Sequence, residues 1–99
     1  MAEKKPVILT NTAQTQRLEI LQYWYNRLGN SRYSELLING FEHCLDMIAR
    51  YPEIGRKIED THHRGFTFKT YLIVYENLAD KIVIHQFWDL RQDPETLVL

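Results

Sequence analysis

Two apolar segments in the last third of the chain decide the fold: Tyr71-Leu-Ile-Val-Tyr75 and Ile82-Val-Ile-His-Gln-Phe-Trp88. The first is apolar on both faces of an extended chain, and the second departs from this pattern only at His85 and Gln86. Strands that are covered on both faces have such continuous apolar runs, so both segments are predicted to be inner strands of a sheet. The short link Asn77-Leu-Ala-Asp80 predicts that they form a hairpin.

Two further segments are predicted to extend this sheet. Residues 64–69 alternate, with Phe66 and Phe68 on one side and smaller or polar residues on the other, which predicts a half-exposed strand. The segment of residues 6–9 is short and apolar and is followed by Thr10-Asn-Thr12. This pattern predicts a first strand that ends at a helix N-cap.

Between these predicted strands, apolar residues recur with the spacing of a helix, which predicts two helices. The first helix is predicted to begin at an N-cap, Asn11 or Thr12. Its apolar stripe consists of Leu21, Trp24, Tyr25 and Leu28. Gly29 ends this helix, and Asn30 or Ser31 caps a second one that ends at Tyr51-Pro52. The stripe of the second helix consists of Leu37, Phe41, Cys44, Leu45 and Ile48.

So short a link between two helices predicts an antiparallel helical hairpin, and its apolar face needs a sheet to cover it. We therefore predict one α+β domain over residues 1–99 with the order β-α-α-β-β-β. The helical hairpin packs on one face of a small, largely antiparallel sheet, and the other face stays available for function.

Composition restricts the possible functions. The chain has 99 residues, 44% of them hydrophobic, and 12 basic against 13 acidic side chains give a net charge of −1. This balance provides no bulk attraction to nucleic acid or to an anionic membrane, so a polyanion site would have to be local. The single cysteine, Cys44, lies in an apolar helical stripe, where it is predicted to be a buried small hydrophobe. No apolar run is long enough for a membrane span, so we expect a cytoplasmic protein that does not bind membranes.

Three motifs resemble those of toxins in the RelE/ParE superfamily. They are the Pro52-Glu-Ile-Gly55 hinge, Arg64 placed seven residues before Tyr71, and the terminal Arg91-Gln-Asp-Pro94. The resemblance covers nearly the whole chain and implies the toxin of a type II toxin-antitoxin pair, neutralised by a cognate antitoxin. The Tyr-Leu-Ile-x-Tyr strand is closer to the ParE-like branch, which implies inhibition of DNA gyrase without catalysis. A homodimer and a toxin-antitoxin hetero-oligomer both remain possible assemblies.

The resemblance makes Arg64 and Arg91 candidate target-binding residues, and Lys69 is a third candidate as a nearby cation. Arg64 and Arg91 also have purely structural interpretations. Arg64 could be an edge-strand cation that is either solvated or paired with Glu59 or Asp60. Arg91 could form a bidentate pair with Asp89 or Asp93.

The main alternative is a RelE-like endoribonuclease that cleaves mRNA in the ribosome, and its candidate catalytic residues are His85, Lys69 and Arg91. Metal-free RNA cleavage needs an acid, a base and cations around the phosphorus centre, and Arg64 and Glu53 could contribute to such a set. Leu72 argues against this function, because it occupies a position where the RNA-cleaving branch commonly has arginine. A hydrogen-bonded structural role for His85 is the simpler interpretation. A third alternative is a non-toxic interaction module.

The remaining candidates point away from cofactors. His62 and His63 lie near Asp60, but adjacent side chains diverge, and no metal-binding spacing or glycine-rich phosphate loop occurs. We therefore expect no metal and no cofactor. Trp24 and Tyr25 are expected in the core, whereas Tyr23 is expected to be exposed, where it could serve an interface.

Overall fold

The protein is an α+β domain in which two helices cover one face of a five-stranded sheet. The computed structural model describes residues 3–92. The elements are β1 (Val7–Leu9), α1 (Asn11–Leu28), α2 (Arg32–Arg50), β2 (Arg56–Lys57), β3 (His63–Phe68), β4 (Tyr71–Asn77) and β5 (Ile82–Asp89).

The strand order is β1-β5-β4-β3-β2, with β1 parallel to β5 and the other neighbours antiparallel. This confirms the predicted fold class and the two inner strands, β4 and β5. The two-residue strand β2 is an addition that the sequence pattern did not predict. It pairs Arg56 with Gly65 and Lys57 with Arg64 at the edge of the sheet.

The helix ends differ slightly from the prediction. Thr10 is the N-cap of α1, because its Oγ1 accepts a hydrogen bond of 3.1 Å from the backbone N–H of Ala13. The predicted caps, Asn11 and Thr12, lie inside the helix instead. Gly29 ends α1 as predicted, with a φ of 72° in the left-handed region that favours glycine. Ser31 is the N-cap of α2.

The two helices contribute unequally to the core. All five predicted stripe residues of α2 are buried: Leu37, Phe41, Cys44, Leu45 and Ile48. In α1 only Ala13 is fully buried, and Ile20, Leu21 and Trp24 pack against the core. The prediction that Tyr25 lies in the core is wrong, because its side chain is 53% exposed. Tyr25 follows Trp24 by one residue, which turns it about 100° around the helix and away from the sheet.

A β-bulge adjusts which face of the sheet each β5 residue occupies. Val74 pairs with Gln86 but Tyr75 pairs with Ile84, so His85 is the extra residue on β5. The bulge changes the phase of the alternation, and Ile84 and Phe87 therefore both reach the core beneath the helices. His85 lies on the opposite face, where its ring contacts that of His63.

The sheet face away from the helices is called the outer face below. It was predicted to stay available for function, but its middle is largely covered: Val74 is 0% and Trp88 9% exposed. Leu72, Glu76 and His85 on the same face are half-buried. Within residues 3–92, neither helix is long and apolar enough to cross a membrane.

Candidate functional site

Arg64 lies at the end of the sheet where α2 leads into the Pro52–Gly55 hinge. It pairs directly with Tyr75 across β3 and β4. Its Nη1 donates to the backbone carbonyl of Gly55 at 2.8 Å and to that of Glu53 at 3.3 Å. In the described part of the chain Arg64 therefore donates to backbone carbonyls of the hinge rather than pairing with Glu59 or Asp60.

Tyr75 holds the same hinge from the core side. Its hydroxyl donates to the carbonyl of Pro52 at 2.7 Å and accepts from the N–H of Gly55 at 2.9 Å. A Cβ at position 55 would lie 2.7 Å from the Tyr75 hydroxyl oxygen, so only glycine fits here without movement. Burial raises the pKa of Tyr75, which keeps its hydroxyl protonated and able to donate at neutral pH. Tyr75 and Arg64 together fix the hinge against β3 and β4.

Lys69 and Arg91 lie at the opposite end of the sheet. Lys69 is exposed in the turn between β3 and β4, with a φ of 55° and its Nζ 5.7 Å from the centroid of the Phe68 ring. Arg91 follows β5 and its guanidinium carbon lies 5.6 Å from the centroid of the Trp24 ring, within range of a cation–π contact.

The predicted bidentate pair of Arg91 with Asp89 is confirmed. Nε lies 3.0 Å from Oδ1, and Nη2 lies 2.7 Å from Oδ2. The hydrogen bond from Arg91 lowers the pKa of Asp89 and keeps it ionised. Asp93 and Pro94 of the terminal motif lie outside the described residues. Asp89 thus offsets much of the positive charge that Arg91 would offer to a target.

An open cleft of about 770 Å³ lies beside Arg91, between α1 and the end of β5. Tyr23, Tyr71, Asp89 and Arg91 contribute to its lining. Tyr23 is 47% exposed, as predicted, and contacts Trp24 edge-to-face with a ring separation of 5.1 Å. The cleft therefore combines aromatic surface with one neutralised ion pair.

His85 forms a third group, on the outer face. Its Nε2 lies 3.1 Å from Oε1 of Glu76, and its ring meets that of His63 edge-to-face at 4.7 Å. The interpretation of His85 as a hydrogen-bonded structural histidine is thus supported by its geometry. Burial and the neighbouring His85 lower the pKa of His63, and Glu76 opposes them. His63 is therefore held largely neutral at physiological pH.

The candidate catalytic residues do not converge. Tyr71, next to the Lys69 turn, pairs with Asp89, whereas Tyr75 pairs with Ile84 beside His85. Four residues separate the two positions on β4, a distance of about 13 Å along a strand. Lys69 and Arg91 thus lie at one end of the sheet and His85 toward the other. Leu72 lies between them, packed over Gly65.

Sequence reasoning missed Glu76 and compared His63 with the wrong neighbours. It compared His63 with its chain neighbours His62 and Asp60, whereas the structure places His63 directly opposite Glu76 on the next strand. His63 and Glu76 both lie on the outer face of the sheet, away from the core. A cross-strand register for β3 and β4 was the information needed to find them.

The fold defines the class of protein: a small α+β domain with a helical hairpin on one face of a mostly antiparallel sheet. A family model described as "ParE toxin of type II toxin-antitoxin system, parDE" matches residues 7–94. The chain therefore belongs to the ParE toxin family and is the toxin component of a type II toxin-antitoxin system.

A solved structure described as "Chromosomal ParDE TA system from P. aeruginosa" has a similar fold, with a TM-score of 0.74 and 12% sequence identity. The match covers 88% of this chain and 97% of that one. A search of curated proteins found no match. The structural likeness shows a shared fold, and the family match supports a cognate antitoxin as partner.

Proposed function

We propose that this toxin inhibits DNA gyrase by binding it, without catalysing a reaction, and that its cognate antitoxin blocks the same action. The observation that carries the proposal is the separation of the candidate catalytic groups across the sheet. RNA cleavage needs an acid, a base and phosphate-binding cations within reach of one phosphodiester. Here Lys69 and Arg91 lie about 13 Å along the strands from His85.

The charge distribution supports binding over RNA cleavage. From Arg64 to the end, the chain has four basic and five acidic residues. Among the four, Arg91 is paired with Asp89, and Arg64 donates to the hinge carbonyls. Affinity for RNA depends strongly on neutralised phosphates. Asp89 offsets the charge of Arg91, and the hinge carbonyls occupy the Nη1 group of Arg64.

Lys69 is the best position for testing target contact. It is exposed at the tip of the β3–β4 turn, and its charge can be reversed with little effect on packing. We expect Lys69→Glu to weaken inhibition of gyrase supercoiling about tenfold or more if this end of the sheet meets the target. Lys57→Glu is the matched control, because Lys57 is exposed on β2 at the far edge of the sheet.

The assay adds purified, antitoxin-free toxin to gyrase and relaxed plasmid and follows the formation of supercoils. Inhibition that purified antitoxin reverses supports the proposal. If folded toxin leaves supercoiling unchanged at concentrations that stop cell growth, gyrase is not the target. Equal effects of Lys69→Glu and Lys57→Glu would exclude a specific contact at Lys69.

A ribosome-dependent mRNA endonuclease is the second candidate function, and one observation favours it. Nε2 of His85 and Oε1 of Glu76 are 3.1 Å apart, which is a suitable geometry for an acid-base pair. The test adds the toxin to a reconstituted translation reaction and maps new mRNA 5′ ends. Ribosome-dependent cleavage that is lost in His85→Gln would favour this function over gyrase inhibition.

A further inference from the structure

Three potential metal ligands meet on the outer face from three neighbouring strands. His63 is on β3, Glu76 on β4 and His85 on β5. One ring nitrogen of each histidine and one carboxylate oxygen of Glu76 lie within 4.8 Å of one another. All three residues are half-buried, so water can reach the cluster while the sheet holds it in place.

We propose that His63, Glu76 and His85 bind one Zn²⁺ ion, or a similar divalent transition metal, on the outer face of the sheet. Two imidazoles and one carboxylate are a ligand set that suits Zn²⁺, and three protein ligands leave a fourth position for water. The site is independent of the proposed action on gyrase.

The observed distances are close to those that a bound ion needs. Bonds of 2.0–2.2 Å to a tetrahedral Zn²⁺ place its ligand atoms about 3.3–3.5 Å apart. Nε2 of His85 and Oε1 of Glu76 are already 3.1 Å apart. The widest separation in the cluster, 4.8 Å at most, closes by about 1.5 Å, which side-chain rotation alone can provide.

The backbone fixes the three positions rigidly. His63 and Glu76 are directly opposite in the β3–β4 ladder, so their Cβ atoms are held about 5 Å apart. The β-bulge places His85 on the same face as Glu76, although strict alternation from the buried Phe87 would turn it into the core. Metal ligands on paired strands have little freedom to move apart.

An ordinary histidine–glutamate hydrogen bond explains only part of this arrangement. It accounts for the contact between His85 and Glu76, but it does not involve His63, whose ring packs edge-to-face on that of His85. Nδ1 of His63 is buried and has no hydrogen-bond partner within the described chain, which is rare for a polar atom. A bound cation accounts for all three residues together.

The first experiment titrates metal-free toxin with Zn²⁺ by calorimetry, and we expect one ion per chain. Replacing a ligand in His85→Gln or Glu76→Gln should weaken binding by about 100-fold or more. His62→Gln is the matched control, because His62 adjoins His63 but is exposed and outside the cluster. Its affinity should match that of the unchanged protein. Failure to find saturable binding at one ion per chain, or equal weakening by His62→Gln, overturns the proposal.

A second measurement needs no substitution and so does not depend on the variants folding. The chain has four histidines, and only His63 and His85 belong to the cluster. In NMR spectra of the unchanged toxin, Zn²⁺ should shift the ring signals of these two and leave those of His43 and His62 in place. Uniform shifts of all four histidines would show non-specific surface binding and refute the site. At about 100 times the dissociation constant, Zn²⁺ should also raise Tm by on the order of 10 °C.

Discussion

The Tyr75 hydroxyl offers the sharpest test of how the hinge is held, through the substitution Tyr75→Phe. The ring is fully buried, and the hydroxyl satisfies both the Gly55 N–H and the Pro52 carbonyl. Phenylalanine fills the same space but leaves both backbone groups without this partner. An unsatisfied buried group costs about 1–3 kcal/mol, and we expect a total loss of about 2–3 kcal/mol in the free energy of unfolding. For a domain of this size, Tm should fall by about 10–20 °C.

Urea and thermal unfolding, followed by circular dichroism, measure this loss. Tyr25→Phe is the control, because it makes the same chemical change on a side chain that is 53% exposed. It should change the free energy of unfolding by less than about 0.5 kcal/mol. A Tyr75→Phe variant within about 0.5 kcal/mol of the unchanged protein, with the same denaturant slope, would show that the hydroxyl does not hold the hinge.

Two further substitutions test packing and charge. Gly40→Ala would place a Cβ 2.0 Å from Cζ of Phe68, so the ring must move; overpacking of about 1–3 kcal/mol should exceed the helix propensity gained, and thermal unfolding should show a lower Tm. Asp89→Asn removes the hydrogen-bonded charge pair with Arg91, which should cost about 1 kcal/mol at pH 7. Because Arg91 lowers the pKa of Asp89 in the folded state, this contribution is present above about pH 4 and disappears as pH falls through the folded pKa. Urea unfolding of both proteins between pH 2 and 7 should show their difference shrinking in acid, and a constant difference would contradict the ion pair's role.

Local patterns predicted the elements because each depends on residues close together in the chain. The α2 stripe from Leu37 to Ile48 is buried as its period predicts, and Gly29 ends α1. The period was less informative in α1, where Tyr25 and Leu28 continue an apolar pattern on the exposed side. The sheet does not cover that side of α1, and a sequence pattern alone does not reveal which of two apolar lines meets the sheet.

The cluster on the outer face depends on strand register, which local patterns do not provide. One signal in β5 could have revealed part of it. Apolar residues at Ile82 and Ile84 set one phase, and the next apolar residue in the sequence after Ile84 is Phe87, three positions later rather than two. Such a change of phase is typical of a bulge, and it places His85 away from the core. The pairing of β3 with β4, which brings His63 to Glu76, comes only from the folded sheet.

Arg64 holds the hinge and is also a candidate target-binding residue, and comparing two variants separates these two roles. The guanidinium has five N–H donors, and its bonds to the hinge carbonyls use only the Nη1 group. Arg64→Gln removes the charge and loosens the hinge, whereas Tyr75→Phe loosens the hinge and keeps the charge. Gyrase inhibition per folded molecule, at a temperature where both variants are folded, should fall at least about tenfold in Arg64→Gln and little in Tyr75→Phe if the charge contacts the target. Equal losses would show that the resemblance singled out Arg64 for the hinge it holds, because hinge geometry would then explain both effects.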